Sequence, residues 1–89
     1  MMTNELRIFL NSPLNDFLSD TDMSPRSVNT VWRVICSIPR FQSNGNWKFA
    51  KVYDLFSFNE TEFRSYYGVS DKVIGELNDA LAPHGLILY

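Results

Sequence analysis

The sequence has little cysteine, little histidine and no long apolar run, and each absence excludes a class of protein. Cys36 is the single cysteine among 89 residues, so no internal disulfide is possible, which fits a reducing cytosol. No stretch approaches the roughly 20 apolar residues of a membrane-spanning helix. The N-terminus lacks a basic region followed by a long apolar run, so it does not have the pattern of a signal peptide. We expect a cytoplasmic protein with no membrane contact.

The sequence also lacks the patterns of catalytic and metal sites. Its His, Cys, Asp and Glu residues do not have the spacing of metal ligands. There is no nucleophile with a suitable general base and no glycine-rich loop of the Walker type. His84 is expected at the surface near a helix end, and Cys36 in the core. The sequence therefore predicts a protein that is not an enzyme and that holds no metal or cofactor.

Basic residues are in the minority, which restricts how the chain can meet nucleic acid. Eight Lys and Arg stand against ten Asp and Glu, so the net charge is −2 and the pI about 5.1. A general electrostatic binder of nucleic acid carries a basic excess, so any DNA contact here has to come from a local basic patch. The chain is instead 45% hydrophobic and 15% aromatic, which excludes disorder and predicts a single small domain over residues 1–89.

The clearest predicted helix begins at Ser24-Pro25 and runs to about Ser37, before Pro39. Serine is a good N-cap, and proline suits the first helical position because its missing N–H costs nothing there. The spacing predicts a buried face made of Val28, Val31, Trp32 and Ile35. It places a second stripe on the opposite side, facing solvent or a partner, made of Arg26, Asn29, Thr30 and Arg33.

Shorter helices are predicted over the ranges 4–11, 48–56, 59–66 and 71–82. Asn59 and Glu62 have the pattern of a capping box at the start of the third. Gly85 is a candidate left-handed cap after the last, and the three residues that follow it should fold back on the core. The apolar side of the 48–56 helix is predicted to consist of Phe49, Val52, Tyr53 and Phe56.

Residues 38–48 interrupt the helical pattern. Asn44-Gly45 is a strong turn signal, which predicts either two short strands or a plain loop. The segment also sets cations among aromatic residues, an arrangement that can stack on bases or anchor a protein interface. The alternative, which we favour, is that Phe41 and Trp47 cover the core. The predicted fold is all-α, a compact bundle of four to five short helices with an inserted loop or small hairpin at about 38–48.

The triplet Gly68-Val69-Ser70 joins two of the predicted short helices. Small residues suit a tight turn, and the apolar middle residue anchors that turn in the core. The second helix then begins with outward-facing amides, which attract phosphate. These features describe a helix-hairpin-helix.

Around this triplet, residues 52–88 follow a known pattern without a gap. The matching segments are Val52-Tyr53-Asp54-Leu55, Asn59-Glu60-Thr61-Glu62-Phe63, Gly68-Val69-Ser70-Asp71-Lys72-Val73-Ile74, Glu76-Leu77 and Leu81-Ala82-Pro83-His84-Gly85-Leu86-Ile87-Leu88. Upstream segments that match are Arg26-Ser27-Val28-Asn29 and Pro13-Leu14-Asn15-Asp16-Phe17. In this spacing the chain resembles the C-terminal domain of the bacterial RNA polymerase alpha subunit, and the resemblance implies the same helix-hairpin-helix fold.

The resemblance also implies a DNA-binding surface, since that family binds the minor groove of A·T-rich DNA. By position, Arg26 looks like the arginine that enters the groove, where the negative potential is enhanced. Asn29 looks like its hydrogen-bonding neighbour, Lys72 like the phosphate lysine and Glu76 like an orienting partner. With Arg33 from the same polar stripe, the predicted DNA-binding set is Arg26, Asn29, Arg33, Gly68, Ser70, Lys72 and Glu76.

Three positions depart from the family's pattern. Ser70 replaces a glycine, which restricts the turn or adds a hydroxyl contact, and Val73 replaces a serine. Asp71 replaces a lysine and so puts a negative charge beside the implied phosphate site. Because phosphate contacts carry most of the affinity for DNA, these changes predict weak binding.

Two functions remain open from the sequence. The first is a small transcription-associated domain that binds A·T-rich double-stranded DNA weakly, mainly through backbone or minor-groove contacts. The alternative is a protein-interaction module, such as a phage or mobile-element regulator, that binds RNA polymerase, sigma factor or a transcription regulator without contacting DNA. The acidic pI and Asp71 favour the alternative.

Overall fold

The computed structural model describes residues 3–42 and 45–89. Over these ranges the chain is all-α, as predicted, and forms no strand. The α-helices are α1 (Asn4–Leu10), α2 (Leu14–Ser19), α3 (Pro25–Ile35), α4 (Glu60–Arg64) and α5 (Asp71–Leu81). Short 3₁₀ helices cover Pro39–Phe41, Asn46–Phe49, Val52–Ser57 and Ala82–His84. Within the described ranges, no helix is long and apolar enough to cross a membrane.

Helix α3 begins where the sequence predicts and ends two residues earlier than expected. The Ser24 hydroxyl accepts the N–H of Ser27 at 3.4 Å, with proline next at the first helical position. Val31, Val34 and Ile35 are fully buried. The predicted polar stripe is wrong at Thr30, which is buried. Its hydroxyl donates to the Arg26 carbonyl at 2.9 Å.

Helix α4 begins with the cap that the sequence predicts. The capping box at α4 is confirmed: the Asn59 carbonyl oxygen accepts the Glu62 N–H at 2.8 Å, and the Glu62 carboxylate accepts the Asn59 N–H at 3.1 Å. The helix is shorter than predicted and ends at Arg64. The buried face of α5 consists of Val73, Ile74, Leu77 and Leu81.

The C-terminal residues return to the core only in part. Gly85 has φ 74°, the left-handed conformation predicted for it. Leu88 is buried, and its N–H donates to the Asn78 side chain at 2.7 Å. The prediction is wrong for Ile87, whose side chain is exposed.

Helix α2 has no counterpart in the predicted helices. It buries Leu14, Phe17 and Leu18. Its first amide, that of Leu14, donates to the Ala50 carbonyl at 2.9 Å, and the Val52 N–H donates to the Ser12 carbonyl at 3.0 Å. These two hydrogen bonds join the start of α2 to a segment more than 35 residues away in the sequence.

That same pairing breaks the helix predicted over 48–56. The chain forms two separate 3₁₀ helices there, with an extended link at Ala50 and Lys51. The predicted apolar side is confirmed at Val52, which is buried, and wrong at Phe49, Tyr53 and Phe56, which are exposed.

The inserted segment 38–48 packs against the core. The predicted alternative of two short strands is wrong for the described part of the segment, which is helical. The predicted turn residue Asn44 lies outside the described residues. Phe41 is buried, and the Trp47 ring meets Trp32 edge to face, with centroids 5.1 Å apart. Arg40 forms an ion pair with the buried carboxylate of Asp54, which fastens the insertion to the following segment.

Candidate functional site

A groove lies between α3 and the turn that joins α4 to α5, residues 65–70, which we call the hairpin. One wall consists of Ser24, Arg26, Ser27, Asn29, Thr30 and Arg33, and the other of Tyr67, Gly68, Ser70, Lys72 and Val73. Six of the seven predicted DNA-binding residues line this groove, drawn from parts of the chain about 40 residues apart. Glu76, the seventh, lies behind it. We refer to the groove as the cationic groove.

The charged side chains that line the cationic groove are all positive. They are Arg26, Arg33 and Lys72, and each is an exposed residue. Among the described residues, no aspartate or glutamate lines the groove. An acidic chain thus carries a local surface of the opposite sign, and a set of cations close together creates a stronger field than the net charge indicates.

The hairpin presents its backbone close to α3. The Val69 N–H donates to the Tyr66 carbonyl at 3.2 Å, which closes a turn with Gly68 at φ 89°. A Cβ built on Gly68 would lie 3.4 Å from the Thr30 hydroxyl, an ordinary contact distance, so the need for glycine comes from its positive φ. Ser70 does not restrict the turn, because its φ is −126°, and its hydroxyl accepts the Val73 N–H at 3.5 Å as the cap of α5.

Asp71 does not face the groove, although the sequence places it beside the implied phosphate site. Its carboxylate accepts a hydrogen bond from the Arg64 guanidinium, which is also paired with Glu60. These two carboxylates raise the pKa of Arg64, with the hydrogen bond to Asp71 as the first cause. The Asp71 carboxylate is therefore paired with a cation of α4, and it does not line the groove.

Glu76 connects α5 to the start of α3. Its carboxylate accepts the Ser24 N–H at 2.8 Å, and the hydroxyls of Ser27 and Ser24 also donate to it. The Ser27 hydroxyl and then the Ser24 N–H hold the pKa of Glu76 below its usual range, and the positive charge of Lys72 acts in the same direction. The residue fixes the position of the helix that carries Arg26 instead of facing the groove.

Five groove residues are absent from the sequence-based set, and Thr30 and Tyr67 are the two that contact the turn glycine or the groove cations. Thr30 was assigned to the solvent stripe, and it lies under the hairpin glycine instead. Tyr67 precedes that glycine and is 87% exposed. Its ring centroid is 6.0 Å from the Arg33 guanidinium carbon, and Arg33 donates to its carbonyl at 3.5 Å. The sequence signal that could have indicated Tyr67 is an aromatic residue directly before the glycine of the turn.

A second concavity, which we call the acidic cleft, lies along the other half of α5. Its charged lining includes Asp20, Asp22, Glu76 and Asp79, over a floor that includes Phe17, Met23, Ala80 and Pro83. His84 closes one end. It is exposed, as predicted, and its ring stacks on Phe9 with centroids 3.6 Å apart.

The described residues provide no arrangement suited to metal chemistry. No three His, Cys, Asp or Glu side chains among them lie close enough to hold a metal ion. Cys36 is partly buried rather than fully in the core, and this burial raises the pKa of its thiol. A low thiol pKa is what reactive cysteines require, so Cys36 lacks that property.

No protein-family model, curated protein or solved structure matches this chain. The resemblance to the alpha-subunit domain therefore depends on the residues and their spacing, and it stays a prediction.

Proposed function

We propose that this chain is a small transcription-associated domain that binds A·T-rich duplex DNA weakly, through the phosphate backbone and the minor groove. One observation carries the proposal: an acidic protein gathers Arg26, Arg33 and Lys72 in a single groove that no described carboxylate lines. The order of residues that resembles the RNA polymerase alpha C-terminal domain supports the same function.

The charged and hydrogen-bonding side chains of the groove have separate roles in this proposal. Arg26 inserts its guanidinium into a narrow A·T-rich minor groove, where the negative potential is strongest. Lys72 and Arg33 meet phosphates on either side, and Asn29 hydrogen-bonds beside Arg26. The first amides of α5, which an α-helix leaves without intrahelical partners, face a further phosphate. Glu76 acts as a positioning residue through Ser24 and Ser27.

Salt dependence tests this proposal. Each phosphate that is neutralised contributes about 0.9 to the slope of log affinity against log salt, so three cations predict a slope of about −2.7. Fluorescence anisotropy titrations of A·T-rich and G·C-rich duplexes at several salt concentrations measure it. Arg26→Ala and Lys72→Ala should each reduce the slope by about 1, and Arg26→Ala should also reduce the A·T preference.

Arg7→Ala is the matched control, because Arg7 is an exposed cation on α1, outside the groove. It changes the net charge by the same amount and should leave the slope unchanged. If Arg26→Ala and Lys72→Ala bind DNA as well as the parent, the proposal is wrong.

A second candidate function is a protein-interaction module that binds RNA polymerase, sigma factor or a transcription regulator. The observation that favours it is the set of exposed aromatic residues in the 3₁₀ helices Asn46–Phe49 and Val52–Ser57, namely Phe49, Tyr53 and Phe56. Exposed aromatics are enriched where proteins bind each other. Surface plasmon resonance with purified bacterial RNA polymerase holoenzyme separates the two functions: binding that Phe49→Ser weakens and Arg26→Ala does not would favour the second.

A further inference from the structure

Tyr67 is the most exposed large apolar side chain among the described residues, at 87%. It lies on the rim of the cationic groove, where it stands beside Arg33 and Gly68. A tyrosine ring left in water forgoes the stabilisation that its burial would provide. The position therefore points to a ligand that covers the ring when it binds.

The local backbone holds Tyr67 in this exposed position. The preceding residue, Tyr66, is anchored because its hydroxyl is hydrogen-bonded to the Ser37 hydroxyl at 2.8 Å and its ring packs on Phe58. The following residue, Gly68, turns the chain at φ 89°. With one neighbour anchored and the other at a turn, the Tyr67 ring projects from the tip of the hairpin.

Arg33, one of the three cations of the groove, lies beside the Tyr67 ring. Its guanidinium donates to the Tyr67 carbonyl at 3.5 Å and lies 6.0 Å from the ring centroid. Cations that follow a phosphate backbone together with an exposed aromatic face are the two parts of a site for unpaired nucleotides. In a fully paired duplex the base faces are covered by neighbouring pairs, so the ring requires a base that has left the stack.

We propose that the Tyr67 ring stacks on an unpaired nucleobase while Arg33 and Lys72 hold the flanking phosphates. The groove then prefers DNA with a single unpaired nucleotide over fully paired DNA of the same sequence. The inference rests on the proposed function, because it assigns a DNA class to the same groove. Because the proposed site has one stacking ring, that of Tyr67, we expect it to prefer a single unpaired base.

The test compares two labelled A·T-rich duplexes of identical sequence, one fully paired and one with a single unpaired adenine. Fluorescence anisotropy gives the ratio of the two affinities. One base stacked on an aromatic ring predicts a ratio of about tenfold, equivalent to about 1.4 kcal/mol. Tyr67→Phe keeps a stacking face and should keep the ratio. Tyr67→Leu should bring the ratio close to 1.

A 2-aminopurine at the unpaired position provides a second measurement, because stacking on a ring quenches its fluorescence. The parent protein should quench it, and Tyr67→Leu should quench it much less at saturation. Urea unfolding checks that both Tyr67 variants fold, which the exposure of the side chain predicts.

The outcomes separate this inference from the proposed function. If the parent binds both duplexes equally, the inference is overturned while duplex binding stands. If Tyr67→Leu keeps the tenfold ratio, the preference comes from the flexibility of the DNA and the inference is also overturned. If neither duplex is bound more tightly by the parent than by Arg26→Ala, both proposals are wrong.

Discussion

The cationic groove and the acidic cleft lie at opposite ends of the same helix, α5, and carry opposite charge. Lys72 lines the groove and Asp79 lines the cleft, with Glu76 between them. The Glu76 carboxylate is held by hydrogen bonds to Ser24 and Ser27. Fields of exposed charges decay over about 8 Å at physiological salt, so a local group of cations counts for more than the net charge, although Glu76 lies close enough to Lys72 for that lysine to lower its pKa. A net charge of −2 therefore does not decide against DNA binding.

Charge reversal in each region should give the largest contrast. Arg26→Glu removes a charge-assisted contact and adds repulsion, which should weaken binding to an A·T-rich duplex by about 3 kcal/mol, or roughly 150-fold. Folding should be unaffected, since an acidic side chain suits the first turn of a helix. Asp79→Lys changes the net charge by the same amount in the opposite direction and should alter affinity by less than about threefold. Comparable changes for both variants would mean that only net charge matters.

Glycine substitutions should separate the hairpin from the rest of α5. Gly68→Ala forces a side chain into φ 89° beside Thr30 and should destabilise the fold by about 1–2 kcal/mol. Gly75 lies within α5 with no atom within 4 Å of a built Cβ, so Gly75→Ala should stabilise it by about 0.5–1 kcal/mol. Urea unfolding measures both. A loss of stability at Gly75 would contradict the described environment of that residue.

The stability that Glu76 contributes should depend on pH. Its pKa is lower in the folded chain than the ordinary value of 4.5, so its contribution is full above pH 4.5 and is lost as the pH falls through the lowered pKa. Glu76→Gln should therefore have a lower urea midpoint than the parent near neutral pH, with a difference that shrinks in acid. Asp79→Asn, which removes the same charge from the same helix, is the control and should change the urea midpoint little near neutral pH. A Glu76→Gln difference that is constant with pH would contradict the lowered pKa.

Asp71 should have the smallest effect. Because its carboxylate pairs with Arg64 outside the groove, Asp71→Asn should raise DNA affinity by less than about threefold. An increase of tenfold or more would mean that this charge acts on the phosphate site after all. Anisotropy with the A·T-rich duplex measures the change.

Local features of the fold could be predicted from the sequence because their partners are close in the chain. The caps at Ser24 and Asn59 bind amides three residues on, and Gly85 needs only its own φ. Helix α2 and the break at Ala50 could not be predicted, since the Leu14 amide pairs with the Ala50 carbonyl across 36 residues. Such pairing has no local sequence pattern.

Several residues of the groove could be predicted from the sequence, but the groups that their side chains and neighbours contact could not. The resemblance to a known family brought Arg26 and Lys72 together, and helical spacing added Arg33. The partners of Asp71 and Glu76 lie 7 and about 50 residues away, so sequence spacing alone did not indicate which groups bind these two carboxylates. Tyr67 was missed because its exposure depends on how the hairpin packs against α3.

The most direct test of the account is an NMR titration of ¹⁵N-labelled protein with the A·T-rich duplex, because it reports which surface the DNA touches. The account predicts amide shift changes confined to residues 24–33 and to residues 67–73, with Thr21, Asp79 and Ala80 in the acidic cleft unaffected. Changes centred on the cleft or on the exposed aromatics of Val52–Ser57, or no changes at all, would contradict the claim that the cationic groove binds DNA.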